Sequence, residues 1–153
     1  MAQRPDFASH RARLLAHLDD DEAVLVFGGP HHLRNSDTDY RYHPHGDVYW
    51  LTGWTDPEVA VFIRPGEEPL TMFVQPRDEE REIWTGYRPG PEGARERFGA
   101  DAAYTFDELD EKLPLLIQGV HKLHYAFGVS AAHDRKLRAA IAKAAREARK
   151  ELK

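Results

Sequence analysis

The sequence feature that most restricts the fold is a short, unbroken apolar run, Ala23 to Phe27, closed by Gly28, Gly29 and Pro30. An apolar run of this length between turn signals is typical of a strand that is covered on both faces. We therefore predict that this strand is central in a sheet and that helices pack on both sides of the sheet.

The remaining pattern predicts an α/β fold, a mixed β-sheet flanked by helices. Pro5 and Asp6 start a first helix that ends at the acidic run 19–21, and short turns favour an antiparallel meander of the three strands that follow the first. Asp107 is a good N-cap for a later helix, and Ser130 starts the last one. The predicted strands after the first are 48–52, 59–63, 70–74, 104–106 and 122–127, and the predicted later helices are 91–98, 107–119 and 130–152.

Length and charge limit the classes of function. At 153 residues we predict one domain, 1–153, and the formal net charge of -5 with a pI near 6.0 argues against nucleic acid as the main partner. No apolar run has the length of a membrane span, and the N-terminus lacks a signal-peptide pattern, so we expect a cytoplasmic protein with no membrane partner. The absence of cysteine leaves His and carboxylates as the possible metal ligands.

The least generic stretch of the chain is Ser36 to Trp54. It places Asp37, Asp39 and Tyr40 ahead of a β-branched and aromatic run that we predict to be a buried strand. Polar side chains at the entrance to a strand predict one wall of a site. The more ordinary interpretation is that Asp37 and Asp39 cap local turns.

A metal site is the strongest chemical alternative in this stretch. His43, His45 and Asp47 have the His-x-His-x-Asp spacing of binuclear zinc hydrolases. Val48 stands where that motif needs another His, the loop precedes its strand, and a catalytic zinc needs three converging ligands. We therefore interpret the histidines as turn and surface residues, and predict no metal ligands and no catalytic residues in the chain.

Trp84 lies in the most hydrophilic part of the chain, a long irregular segment between 76 and 99. Long loops in compact domains are often functional, and Trp is enriched where proteins bind ligands or partners. A lid over the domain's own core is the alternative interpretation. The basic face of the last helix is most simply explained as a solvated face.

Several of these segments together resemble the N-terminal domain of aminopeptidase P, the Xaa-Pro aminopeptidase of the creatinase/prolidase family. The resemblance covers nearly the whole chain and departs at 43–45. It rests on Arg11 and Leu14, Ser36, Asp37 and Tyr40, the run Asp47 to Gly53, Asp56-Pro57-Glu58, Pro76-Arg77-Asp78, and Glu82-Ile83-Trp84 with Gly86.

The resemblance implies a ribonuclease H-like topology and a role in a metal-dependent peptidase. In that family a separate pita-bread domain holds two divalent ions, typically Mn, through two Asp, one His and two Glu, and those motifs are absent before Lys153. The resemblance implies substrate-access roles for Asp37, Tyr40, Trp84 and Arg88. In tetrameric relatives the matching tryptophan reaches a neighbouring subunit's active site.

Two functional hypotheses follow from the sequence. The first is a non-catalytic domain of an Xaa-Pro aminopeptidase, supporting oligomer assembly and substrate access, with its own catalytic domain, a homo-oligomer and peptides with proline in second position as partners. The second is a stand-alone creatinase-like module that binds peptides or proteins without catalysis.

Overall fold

The computed structural model describes residues 5–28, 46–80, 82 and 88–152, and the backbone of 33–34 and 38–39. The helices are α1 Phe7–Leu15, α2 Gly46–Thr52, α3 Gly90–Phe98, α4 Leu109–Leu116 and α5 Ala131–Glu151. The strands are β1 Glu22–Phe27, β2 Leu33–Arg34, β3 Thr38–Asp39, β4 Ala60–Ile63, β5 Leu70–Val74, β6 Ala102–Thr105 and β7 Lys122–His124. Within these ranges no helix offers the apolar length that a membrane crossing requires.

The main sheet has five strands in the order β6-β5-β4-β1-β7, while β2 and β3 pair in a separate two-stranded sheet. The β1/β4 and β4/β5 pairs are antiparallel, and the β1/β7 and β5/β6 pairs are parallel. The predicted mixed sheet is therefore confirmed. The central position belongs to β4, however, and β1 alternates between buried and half-buried residues because one of its faces is incompletely covered.

Helices cover the sheet on both faces, and each face has its own apolar core. Leu25, Phe62 and Phe73 point to one face, where α4 and α5 contribute Leu109 and Leu137. The opposite face is covered by α1, α2 and α3, and its core contains Val48, Leu51, Trp54, Val61, Met72 and Ala94. Strands β4 and β5 are buried along their whole length because they are covered on both faces.

The predicted strand at 48–52 is wrong, since these residues belong to helix α2. Val48, Leu51 and Thr52 are buried, whereas Tyr49 and Trp50 are about two-fifths exposed. That spacing is one face of a helix, and it could not be recognised in so short an apolar run. The hydroxyl of Thr52 donates to the Val48 carbonyl at 2.7 Å, a bond within the helix.

Two of the predicted helix starts are confirmed and one is wrong. The Asp6 carboxylate accepts the Ser9 N–H at 3.1 Å, and the Ser130 hydroxyl accepts the His133 N–H at 3.2 Å. Asp107 is no cap, because a short 3₁₀ turn, Phe106–Glu108, precedes α4. Thr105 caps that turn in a reciprocal pair with Glu108, whose carboxylate accepts the Thr105 N–H at 2.8 Å. The strand predicted at 122–127 ends at His124.

Gly53, which follows α2, provides a test of this packing. Its φ is 78°, and an added Cβ would lie 2.5 Å from Cε2 of Phe7 in α1. We expect Gly53→Ala to lower the free energy of unfolding by about 2 to 4 kcal/mol, from the left-handed backbone and the steric clash together.

Gly128→Ala is the matched control, because Gly128 has a φ of 89° and nothing within 4 Å of its added Cβ. Its loss should be about 1 to 2 kcal/mol, the backbone cost alone. Urea denaturation of both variants measures the difference, and equal losses would show that the Phe7 ring moves aside at no cost.

Candidate functional site at one edge of the sheet

The segments that the sequence singled out leave the main sheet where β1 and β5 end and β4 begins, and we call this end of the strands the sheet edge. Phe27, near the end of β1, pairs with Ala60 at the start of β4, and Ala60 pairs with Phe73 near the end of β5. The chain segments 28–45 and 75–89 both leave the sheet at this edge. Asp37 and Tyr40 belong to the first segment, and Trp84 and Arg88 belong to the second.

Of the four predicted substrate-access residues, the structure describes Arg88. Asp37, Tyr40 and Trp84 lie outside the described residues, as do His43 and His45. Asp47, the last member of the His-x-His-x-Asp spacing, is in the first turn of α2. The predicted roles of the undescribed residues therefore stay predictions.

Arg88 connects three parts of this edge. Its guanidinium donates a hydrogen bond to the side-chain carbonyl of Gln75, the residue directly after β5. The Gln75 amide in turn donates to the Glu58 carboxylate at 3.1 Å, two residues before β4. The end of one strand, the start of its neighbour and the segment before α3 are thus joined by side-chain hydrogen bonds.

The turn before β4 is strained. Glu58 has a φ of 55°, the one non-glycine residue with positive φ in the part of the chain that the structure describes. Such a conformation costs roughly 1 to 2 kcal/mol for a residue with a Cβ. The backbone beyond it is held to β1, since the Gly28 N–H donates to the Val59 carbonyl at 2.8 Å. The hydrogen bond from Gln75 adds a side-chain partner that helps to hold Glu58 in place.

Asp56 is the titratable group of this edge whose environment opposes its charge. The carboxylate is about half-buried, and burial raises its pKa above the ordinary value. The positive charge of Arg88 acts in the other direction and lowers the pKa, but its effect is the smaller one. Asp56 therefore lies close enough to Arg88 to interact with it, without a full ion pair.

The segment between β5 and α3 leaves and rejoins the body of the domain at nearly the same point. A Cβ on Gly90 would lie 3.0 Å from the Cβ of Arg77, so the two ends of the segment are in contact. Arg77 also forms an ion pair with Glu82, with 2.8 Å between Nε and Oε1. The hydrogen bond from Arg77 lowers the pKa of Glu82, and a hydrogen bond that Glu82 accepts from the Arg88 backbone N–H contributes in the same direction.

A small cleft of about 230 Å³ lies beside β1 at the same edge, lined by both β1 and the start of α5. His133 stacks on Phe27 with ring centroids 4.1 Å apart, and burial lowers the pKa of His133. Tyr125 donates its hydroxyl to Asp134 at 2.8 Å, and burial raises the pKa of Tyr125. These contacts fix the turn between β7 and α5.

The described side chains of this edge connect chain segments to one another. They form hydrogen bonds and ion pairs between chain segments, and no group of three or more His, Asp or Glu among the described residues could hold a metal ion. Sequence reasoning missed Asp56, Glu58 and Gln75 as partners of Arg88. The sequence indicated these residues only indirectly, because Asp56 and Glu58 belong to the Asp-Pro-Glu turn and Gln75 lies between a strand and Pro76.

The chain is similar to a group of peptidases along nearly its full length. The sequence model described as aminopeptidase P, N-terminal domain, matches residues 7–125. The Xaa-Pro aminopeptidase of Escherichia coli strain K12 is 29% identical over 152 residues, which is 97% of this chain and 34% of that protein. Human Xaa-Pro aminopeptidase 3 is 32% identical over 100 residues, 61% of this chain and 20% of that protein.

Solved structures agree with this similarity. The aminopeptidase PepP of Pseudomonas aeruginosa superimposes with a TM-score of 0.89 at 32% identity, covering 98% of this chain and 35% of that one. The low-pH form of Escherichia coli aminopeptidase P gives 0.87 at 28% identity, covering 99% and 35%. The chain thus spans about a third of the length of these relatives.

Asp56→Asn tests the electrostatics of this edge. A raised folded-state pKa means that Asp56 reduces stability as pH rises through its titration range, above the ordinary value of 3.8. Asn has no charge to bury, so the variant should gain stability relative to the wild type between about pH 3 and pH 6. Urea midpoints at both pH values measure the change.

The same comparison in an Arg88→Ala background should show a larger gain, because the cation that partly offsets the burial of Asp56 is then missing. A stability difference that does not vary with pH, or that favours the wild type at the higher pH, would contradict this account of Asp56.

Proposed function

Because the chain belongs to the aminopeptidase P N-terminal domain family, we propose that it is the non-catalytic N-terminal domain of a metal-dependent, cytoplasmic Xaa-Pro aminopeptidase. The whole protein removes the N-terminal residue of peptides that have proline in second position. This domain, 1–153, supports assembly of a homo-oligomer and forms part of the path by which substrate reaches the catalytic domain.

The catalytic domain lies outside this chain in our proposal. Carboxylates and a histidine of that domain would hold two divalent ions, expected to be Mn, which would supply the activation of water for hydrolysis of the Xaa-Pro bond. The described residues of the present domain offer no ligand set for either ion. Its contribution is therefore to position loops and to contact peptide or a neighbouring subunit.

The substrate-access role is supported by the segment between β5 and α3, whose two ends lie in contact at the sheet edge. The segment that contains Trp84 begins and ends where Arg77 meets Gly90, and Arg88 fastens it to the edge through Gln75. A loop with close, fixed ends can project a large side chain without loosening the sheet below it. In this proposal Arg88 acts by holding the loop, while Trp84 together with Asp37 and Tyr40 contacts the substrate on its way to the catalytic domain.

The coding sequence after Lys153 tests the proposal at the level of the whole protein. An open reading frame of about twice this domain's length, with the metal-binding Asp, His and Glu residues of the family, is expected. A stop codon directly after Lys153 in the natural gene would overturn the peptidase and favour a stand-alone module that binds peptides or proteins.

Trp84→Ala distinguishes a projecting ring from a core residue. In the 153-residue chain we expect the free energy of unfolding to change by less than about 0.5 kcal/mol, as for a surface substitution. Trp54→Ala is the control, because Trp54 is 1% exposed and its truncation should cost about 3 to 5 kcal/mol. In the complete enzyme Trp84→Ala should lower kcat/KM for longer peptides with metal content unchanged. A large drop in Tm for the Trp84 variant would assign the ring to the domain's core.

Asp37→Ala separates a functional acid from a turn cap. In the complete enzyme we expect turnover to fall while the melting temperature stays close to that of the wild type. If Asp37 only caps a turn, the variant should instead lose about 0.5 to 2 kcal/mol of stability with unchanged kinetics. Melting curves and kinetics measured on the same preparation decide between the two.

A further inference from the structure

The side chain of Gln75 forms two hydrogen bonds that fix the direction of its amide. An ionised carboxylate only accepts hydrogen bonds, and a guanidinium only donates them. The amide nitrogen of Gln75 therefore faces Glu58, to which it donates at 3.1 Å, and the amide oxygen faces Arg88, from which it accepts. If the amide turned by half a rotation it would lose both partners, so the two contacts together hold it in one orientation.

The pairing of β4 with β5 brings Gln75 and Glu58 together. Ala60 pairs with Phe73 in the antiparallel register of these strands. The same register, continued two residues beyond this pair, sets Glu58 opposite Gln75, and side chains that lie opposite each other on two strands interact. Arg88 comes from a different part of the chain, 13 positions after Gln75, in the segment that precedes α3.

A neutral amide suits this position better than an acid. Asp56 also lies near Arg88, but it is about half-buried, and burial opposes its charge more than the guanidinium favours it. The oxygen of Gln75 accepts a hydrogen bond from the same guanidinium without a charge to bury. The nitrogen of Gln75 also supplies Glu58 with a donor, which a carboxylate at position 75 could not do.

The contact with Glu58 joins the amide to strained backbone. Glu58 has a φ of 55°, and such a conformation persists only where the surrounding structure holds it. We call Glu58, Gln75 and Arg88 with their two hydrogen bonds the Gln75 bridge. One end of the Gln75 bridge is thus a strained turn, and the other end is the guanidinium that meets the segment between β5 and α3.

We propose that Gln75 is a positioning residue, whose amide orients the guanidinium of Arg88 and couples it to the strained turn at Glu58. A change at either end of the Gln75 bridge then alters the contribution of the other end to stability. The inference rests on the proposed function, in which Arg88 holds the segment between β5 and α3 beside the substrate path. A displaced Arg88 weakens binding of the peptide and leaves the chemical step, which takes place in another domain, unchanged.

The first experiment exchanges donor and acceptor in the 153-residue chain. Gln75→Glu keeps an acceptor for Arg88 but sets a carboxylate against Glu58, so the urea midpoint should fall. Glu58→Gln added to this variant provides an amide that donates to the new carboxylate, and the double variant should regain the wild-type midpoint. Gln118→Glu is the matched control, because the Gln118 side chain has no hydrogen bond to any residue that the structure describes. Glu58→Gln should not alter the effect of that control.

A double-mutant cycle measures the coupling itself. The effects of Glu58→Ala and Arg88→Ala should depart from additivity by a factor of about 2 or more in the unfolding equilibrium constant, as for residues of one network. In a Gln75→Met background the two effects should add. Additive effects with Gln75 present, or no rescue in the exchange experiment, would overturn the proposal.

The complete enzyme tests the positioning role. Gln75→Glu should raise KM for peptides about threefold or more with kcat and metal content unchanged, and adding Glu58→Gln should restore KM. Rescue of stability with a KM that stays constant in every variant would overturn the positioning role and leave the proposed function intact. A wild-type enzyme without peptidase activity would overturn the proposed function, and the positioning role with it.

Discussion

The antiparallel pairing of β4 with β5 is the interaction on which the rest of the domain depends. Every residue of the two strands is buried, and their side chains alternate between the two cores. Val61 and Met72 face each other on one side of the sheet, and Ala60 and Phe73 pair on the other. Because burial of each large apolar side chain contributes about 1.5 to 3 kcal/mol, this pair anchors both helical layers at once.

How much of the fold could be predicted depended on how far local signals agreed with burial. β5 was predicted with its correct bounds, and Ser130 was recognised as the cap of α5, because turn and cap residues act locally. The run Val48 to Leu51 was wrongly predicted as a strand, because β-branched and aromatic residues favour strands, whereas the burial pattern of these residues is helical. Ile141 and Leu152, on the apolar side of the last helix, are 44% and 87% exposed.

The contacts of this edge could not be predicted from the sequence, because they join residues that are far apart along the chain. Arg88 was named through the family resemblance, but its partners lie 13 and about 30 positions away and are brought together by the antiparallel turn of the sheet. The strained backbone of Glu58 leaves no trace in the sequence, since Glu has no preference for positive φ. Tertiary structure supplies both features. They appear at the edge from which the predicted access segments depart.

The parallel pairing of β1 with β7 affects when the sheet can form during synthesis. Asp21 and His121, at the start of this pair, are one hundred positions apart, and their side chains meet at 3.1 Å. After β1 is synthesised, about a hundred further residues must be added before β7, its parallel neighbour, exists. At typical synthesis rates of 5 to 20 residues per second that wait is on the order of ten seconds. During that time the nascent chain carries an apolar strand with an unpaired edge.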